Sequence, residues 1–156
     1  MKNYNLILLI SLSSIIACTH NTIFSNYYTF YDNKWHADST IVFNFNTQES
    51  KDFNFNLSIN YTRDYPYQNF YTSYSLLDSS QNIIKSKLIE FDLFEKKYGI
   101  PLGSGILKNY KIDSLIFNIN SLDENAEYTF LIKQSMRKEI LKGINSIGLI
   151  VNHHQN

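Results

Sequence analysis

Residues 51–62 read KDFNFNLSINYT, and this alternation leaves the backbone little choice. Phe53, Phe55, Leu57, Ile59 and Tyr61 occupy every second position, with Asp52, Asn54, Asn56, Ser58 and Asn60 between them. Successive side chains of an extended strand point to opposite faces, so a period of two builds one apolar and one polar face. A helix would scatter the same five apolar residues around its circumference. Residues 40–46, TIVFNFN, repeat the pattern with Ile41, Phe43 and Phe45 on one face. Further runs rich in β-branched and aromatic residues lie at 23–30, 69–77, 84–94, 111–119, 127–136 and 146–151, separated by Asn, Asp, Ser or Gly. Helical pattern is confined to two short stretches: 138–142 (KEILK), expected to form a single turn ending at Gly143, and 92–97. About eight short strands with no long helix predict an all-β chain folded as an antiparallel β-sandwich, jelly-roll or immunoglobulin-like.

The first eighteen residues follow a different logic. Lys2 gives a positive start, and residues 6–16 form an apolar run broken only by serines. The run is shorter than the ~20 residues a membrane-spanning helix needs, and it reads as a secretory signal. It closes on Ile15-Ile16-Ala17-Cys18, which resembles the lipobox of bacterial lipoproteins. There the cysteine thiol takes a diacylglycerol, the chain is cut before it, and the new amine is usually acylated as well. Two or more acyl chains hold a protein stably on a membrane. Cys18 is the only cysteine, so no disulfide competes for it. The expected organisation is a lipoprotein signal peptide at 1–17, a lipidated tether at 18–26, and one β-sandwich domain at 27–156.

Charge excludes some functions. Fourteen basic and fourteen acidic side chains leave no basic stripe for nucleic acid. The four histidines are His20 in the tether, His36, and the terminal pair His153 and His154, so only His36 is expected within the folded body. No metal site or cofactor is expected from such a set. Glu90 and Asp92 share one face of a strand, but Ile89, Phe91 and Leu93 alternate with them, which marks a solvated sheet surface rather than a catalytic carboxylate pair. The glycine-rich stretch 99–105 precedes no long helix and reads as a loop, one able to contact a partner. No enzymatic activity is expected.

The most distinctive interior motif is 62–70, TRDYPYQNF. Pro66 drives Tyr65 toward extended backbone and interrupts ladder pairing, so the segment is a turn between two strands. It carries Arg63, Asp64, Tyr65 and Tyr67 as a candidate partner surface, since Arg and Tyr dominate interface energetics. The competing reading folds Tyr65 or Tyr67 back to cap the core.

Several motifs, taken in order, resemble the gliding-motility lipoprotein family GldH of Bacteroidetes. They are Trp35-His36 with Asp38 and the Val42-Phe43-Asn44-Phe45 strand; Asp64-Tyr65-Pro66-Tyr67-Gln68-Asn69; Leu102-Gly103-Ser104-Gly105; Tyr128-Thr129-Phe130 leading to Gln134-Ser135-Met136-Arg137; and Leu141-Lys142-Gly143-Ile144 with Ile147-Gly148-Leu149. The chain departs from the family pattern at Leu107, where members carry Asp, and at Ile150, where they often carry Arg. The resemblance implies an outer-membrane lipoprotein that supports gliding motility and the associated type IX secretion machinery, in an assembly or scaffold role with other protein components. The segment Thr19-His20-Asn21-Thr22 has no acidic residue, which resembles retention facing the periplasm. An alternative role is a carbohydrate-binding envelope lipoprotein, which a row of exposed aromatics on one sheet face would favour.

Overall fold

A computed structural model describes residues 22–49 and 51–154. Cys18, the leader and residues 19–21 lie outside the described residues. Eleven strands run in chain order: β1 (Thr22–Thr29), β2 (Lys34–His36), β3 (Thr40–Asn46), β4 (Phe53–Thr62), β5 (Asn69–Leu77), β6 (Ile83–Asp92), β7 (Ser104–Ile106), β8 (Asn109–Ile119), β9 (Glu127–Gln134), β10 (Ile140–Lys142) and β11 (Ile144–His153). The all-β expectation holds, and the strand count exceeds eight because three strands have only three residues each.

The eight long strands pair by nesting. β1 pairs with β11, β3 with β9, β4 with β8, and β5 with β6, all antiparallel. The chain therefore behaves as one long hairpin rolled up on itself. Adding the β4–β11 and β5–β9 ladders gives two sheets, β1-β11-β4-β8-β7 and β3-β9-β5-β6. This order is that of a jelly roll. A small third ladder, β2 with β10, closes one end.

The core lies between the two sheets and is unusually aromatic. Phe53, Phe55, Leu57, Ile59 and Tyr61 of β4 are each 0 % exposed, as the alternation requires. Phe55 stacks on Phe117 at 4.5 Å between ring centres and meets Phe45 and Phe130 from the facing sheet at 5.8 and 5.9 Å. Such ring pairs add about 0.5–1.5 kcal/mol each beyond area burial.

Three local expectations are corrected. Residues 22–26, assigned to the tether, are paired strand: β1 begins at Thr22, opposite Asn152. The KEILK stretch is not a helical turn. Ile140–Lys142 is extended as β10, because pairing to β2 buries Leu141 against Trp35 and outweighs helix propensity. His153 is not in a free tail; it ends β11 opposite Phe53, with the two rings 5.3 Å apart.

Candidate functional site

Strand register divides the sandwich into two ends. Thr22, Asn54, Asn152 and His153 lie at one end, where the described chain begins. At the other end β4 gives way to β5, and the segments 31–39, 62–70, 93–109 and 134–146 meet there.

Most of the distinctive residues at this second end hold it together. Trp35 is fully buried, stacks on Phe30 at 4.8 Å and donates its indole N–H to the Ser39 carbonyl at 3.2 Å. His36 beside it is exposed on the short β2–β10 ladder. Tyr65 is only 4 % exposed; its hydroxyl donates to the Asn69 carbonyl at 2.8 Å, and its ring stacks with Phe94. Burial, followed by the neighbouring Tyr67, raises its pKa well above the usual tyrosine range. Tyr65 therefore caps the core, as the competing reading of this turn expected, and is not an exposed side chain of the candidate surface. Gly143, at φ +86°, lies where an added Cβ would sit 2.6 Å from the Tyr65 backbone, so glycine here serves both close approach and conformation. Its carbonyl accepts from the Thr62 N–H at 2.8 Å, and its N–H donates to the Asn33 carbonyl at 3.1 Å. Gln134, also buried, donates to the Lys138 carbonyl and accepts from the Met136 N–H, which shapes the 134–138 turn.

The remaining candidates stay accessible. Arg63 and Asp64 are exposed and Tyr67 is half-buried. The Tyr67 ring stands between two clefts. One, of about 310 Å³, is lined by Arg63, Tyr67, Glu95 and Lys96 over a floor of Tyr65 and Phe94. The other, of about 460 Å³, is lined by Tyr67, Tyr71, Met136, Arg137 and Lys138. The structure thus brings Arg63 and Tyr67 together with Met136, Arg137 and Lys138, which sequence reasoning did not nominate. Their signal was present in the Gln134-Ser135-Met136-Arg137 motif, but seventy residues separate it from the Arg63 turn, and only the β5–β9 ladder makes them neighbours.

The rejected catalytic candidates fall where expected. Glu90 and Asp92 are exposed on β6, and the Asn69 amide and Tyr71 hydroxyl hold the Glu90 carboxyl below its usual range. Among the described residues no group of three or more His, Cys, Asp or Glu side chains converges to hold a metal ion. Nor do the exposed aromatics form a row. Tyr27 and Tyr28 point to opposite faces of β1, Tyr31 sits on a turn, and Tyr98 sits in a loop.

Comparison with known proteins places this geometry. No curated protein sequence matches the chain. Among solved structures, the chain is similar to the infectious bursal disease virus VP2 subviral particle, at 13 % identity and a TM-score of 0.41, covering 85 % of this chain and 34 % of that one. It spans about a third of that viral protein's length. It is also similar to the CBM35 of Abf62 from Cellvibrio japonicus, at 10 % identity and TM-score 0.34, covering 88 % and 94 %. A third likeness is dimeric latent PorU from Porphyromonas gingivalis, at 13 % identity and TM-score 0.37, covering 88 % and 14 %. Likenesses this distant carry no argument about the chain. The family comparison does: the profile described as GldH lipoprotein matches residues 22–151, from the first strand to near the end of the last. The chain belongs to the GldH lipoprotein family.

Proposed function

We propose that this protein is a non-enzymatic assembly component of the gliding-motility apparatus and its associated type IX secretion machinery, held on the outer membrane by acylated Cys18 with its domain facing the periplasm. The observation that carries the reading is convergence. The motifs through which the chain resembles its family come from five separate stretches of sequence that all reach one end of the sandwich, and two of them, 64–69 and 134–137, line the two clefts flanking Tyr67. Buried members of those motifs (Trp35, Tyr65, Gln134, Gly143) set the backbone, and Tyr67 and Arg137, with Arg63 just before the second motif, are left to face a partner. A turn fixed by Pro66 presents such side chains at low entropic cost. Membrane attachment follows from the lipobox-like run before Cys18.

The test is the double change Arg63→Ala with Asp64→Ala. Both side chains are exposed, so the melting temperature stays nearly unchanged. Spreading and secretion are expected to fail in a strain that depends on this protein. Normal spreading and secretion would remove this turn as the contact. Attachment is tested separately: Cys18→Ala releases the protein from membranes, and fatty-acid incorporation that survives the change contradicts the anchor. Efficient protease shaving of the domain from intact cells would contradict the periplasmic orientation.

A further inference from the structure

The segment that carries the most exposed apolar surface reaches the clefts only through Gly99. Tyr98, Ile100, Leu102, Ile106 and Leu107 fall within ten residues and are 51–88 % exposed. Ile106 and Leu107 form the tip of the β7–β8 hairpin, where Leu107 and Lys108 both take positive φ, 50° and 69°. A two-residue hairpin turn of this hand ordinarily uses Asn or Gly, and a leucine held there in solvent is strained as well as exposed. The tip is fixed in place: the Arg63 N–H donates to the Lys108 carbonyl at 3.1 Å, and the Gly103 N–H donates to the Tyr61 hydroxyl at 2.9 Å. Lys108 belongs to the turn itself, Arg63 is bonded to it, and Lys96 and Lys97 lie in the turn that leads into the 98–102 loop. Against these four cations stand two carboxylates, Asp64 and Glu95, the latter accepting the backbone N–H groups of Lys97 and Tyr98.

We propose that this hairpin tip and the adjoining 98–102 loop insert into an anionic lipid surface, so that the domain lies along the membrane with the β1-β11-β4-β8-β7 sheet toward the lipid. Composition separates lipid from protein as the occupant. Protein interfaces are depleted in lysine and their hot spots in leucine, whereas aliphatic side chains ringed by lysines, with a tyrosine at the margin, match an interfacial segment. The lysines supply attraction to anionic headgroups. The outer face of the same sheet agrees. Register places Ile106, Leu115 and Ile150 on it, and its only charged side chains are Lys111 and Asp113, which pair with each other at 3.1 Å. The outer face of the other sheet also carries aliphatic side chains, Val42, Leu88 and Leu131, but sets four charges among them, Glu90, Asp92, Glu127 and Lys133. The first described residue of β1 and the β7 tip are diagonal corners of the lipid-side sheet. Four residue steps from Cys18 to Thr22 reach at most ~14 Å, so an anchored domain can lie flat and make both contacts. This geometry rests on the anchor at Cys18 proposed above, and it leaves the Tyr67–Arg137 cleft facing away from the bilayer.

The test uses the full-length lipidated protein in vesicles of phosphatidylglycerol with phosphatidylcholine, and in vesicles of phosphatidylcholine alone. With Cys18 acylated, an introduced cysteine is the only free thiol. A polarity-sensitive dye is placed at Leu107→Cys or, as a control on the opposite sheet face, at Asn44→Cys. The expected result is a blue shift and quenching by lipid-borne quenchers at position 107 and not at 44, in the anionic vesicles. Lys96→Glu, Lys97→Glu and Lys108→Glu together abolish the shift. If Leu107→Cys disturbs the circular dichroism, Ile106→Cys carries the same reading. A label at 107 as water-exposed as at 44 overturns the proposal, as does protection that appears only when a protein of the motility machinery is added. Mass spectrometry of the N-terminal peptide reads the anchor independently. An unacylated Cys18 would refute the anchor alone; insertion is then read with Cys18→Ser beside Leu107→Cys, where quenching at 107 in the anionic vesicles sustains it and an unquenched label overturns it.

Discussion

Tyr61→Phe isolates what one hydroxyl does at the motif-bearing end. Tyr61 is 0 % exposed at the end of β4. Its hydroxyl donates to the Leu93 carbonyl at 2.7 Å and accepts the Gly103 N–H at 2.9 Å, so it ties both ends of the 93–103 loop to the sheet. Phenylalanine keeps the ring contacts with Phe94 and Tyr110, at 5.4 and 5.7 Å, and removes only the oxygen. The Leu93 carbonyl retains the Leu102 N–H at 2.9 Å. The Gly103 N–H is left without a partner, which costs about 1–3 kcal/mol. For a domain of this size, about 2 kcal/mol lowers the melting temperature by roughly 5–10 °C. Thermal unfolding by circular dichroism measures the loss, and hydrogen exchange locates it: the Gly103 amide and its loop neighbours should lose protection while β4 and β11 keep theirs. An unchanged midpoint with Gly103 still protected would refute the reasoning. A loss as large as about 5 kcal/mol would show instead that the ring, not the hydroxyl, had been disturbed.

Phe55→Ala should cost ~3–5 kcal/mol, because its ring is fully buried between three others, whereas Asn56→Ala on the outer face should cost little; comparable losses by chemical denaturation would contradict the facing. Gly143→Ala should destabilise by about 2–4 kcal/mol, combining an unfavourable positive φ with a Cβ driven against the Tyr65 backbone, and a melting curve like that of the parent would exclude it. Burial raises the pKa of Tyr61, Tyr65, Tyr74 and Tyr128. These phenols stay protonated in the folded chain after the unfolded chain has begun to ionise, so their contribution is complete below pH ~10 and is lost as the pH rises further. Unfolding free energy should therefore fall steeply above pH ~10, and Tyr65→Phe should make that fall shallower; an equal slope in the variant would refute the assignment to Tyr65.

The strands were legible wherever burial imposes a period of two. β3 and β5 match the expected ranges at both ends, and β4 runs from Phe53 through Thr62 as its alternation requires. The three-residue strands were not, since three residues carry no period. β10 was misread because Lys, Glu, Ile and Leu all favour a helix in isolation, and the ladder to β2 that decides the matter is about one hundred residues away in sequence. The turn at Pro66 was legible, but the fates of its two tyrosines were not. Proline breaks the alternation that would have assigned them to faces, and the cue that Tyr65 goes inward is Gly143, which makes room for its backbone.

Alternation distinguishes inside from outside and says nothing about which sheet an outside belongs to. In the sequence, Ile106, Leu115 and Ile150 sit beside other aliphatic residues with nothing to mark them as outward-facing. Glu90, Asp92, Glu127 and Lys133 are equally unremarkable as scattered charges, in a chain whose formal net charge is zero. Nested pairing sorts them. Because β1 meets β11 and β4 meets β8, the strands whose outer positions are rich in asparagine and almost free of charge fall into one sheet, and the strands with four outer charges fall into the other, while exposed aliphatic residues occur on both. The two sides differ in what they can face: one has a single self-compensated ion pair to desolvate, the other has four charges that need water or a partner. A neutral composition therefore conceals a two-sided molecule. That asymmetry arises from topology, which is why it agrees with the position of the hairpin tip and the start of β1 without being visible in either segment alone.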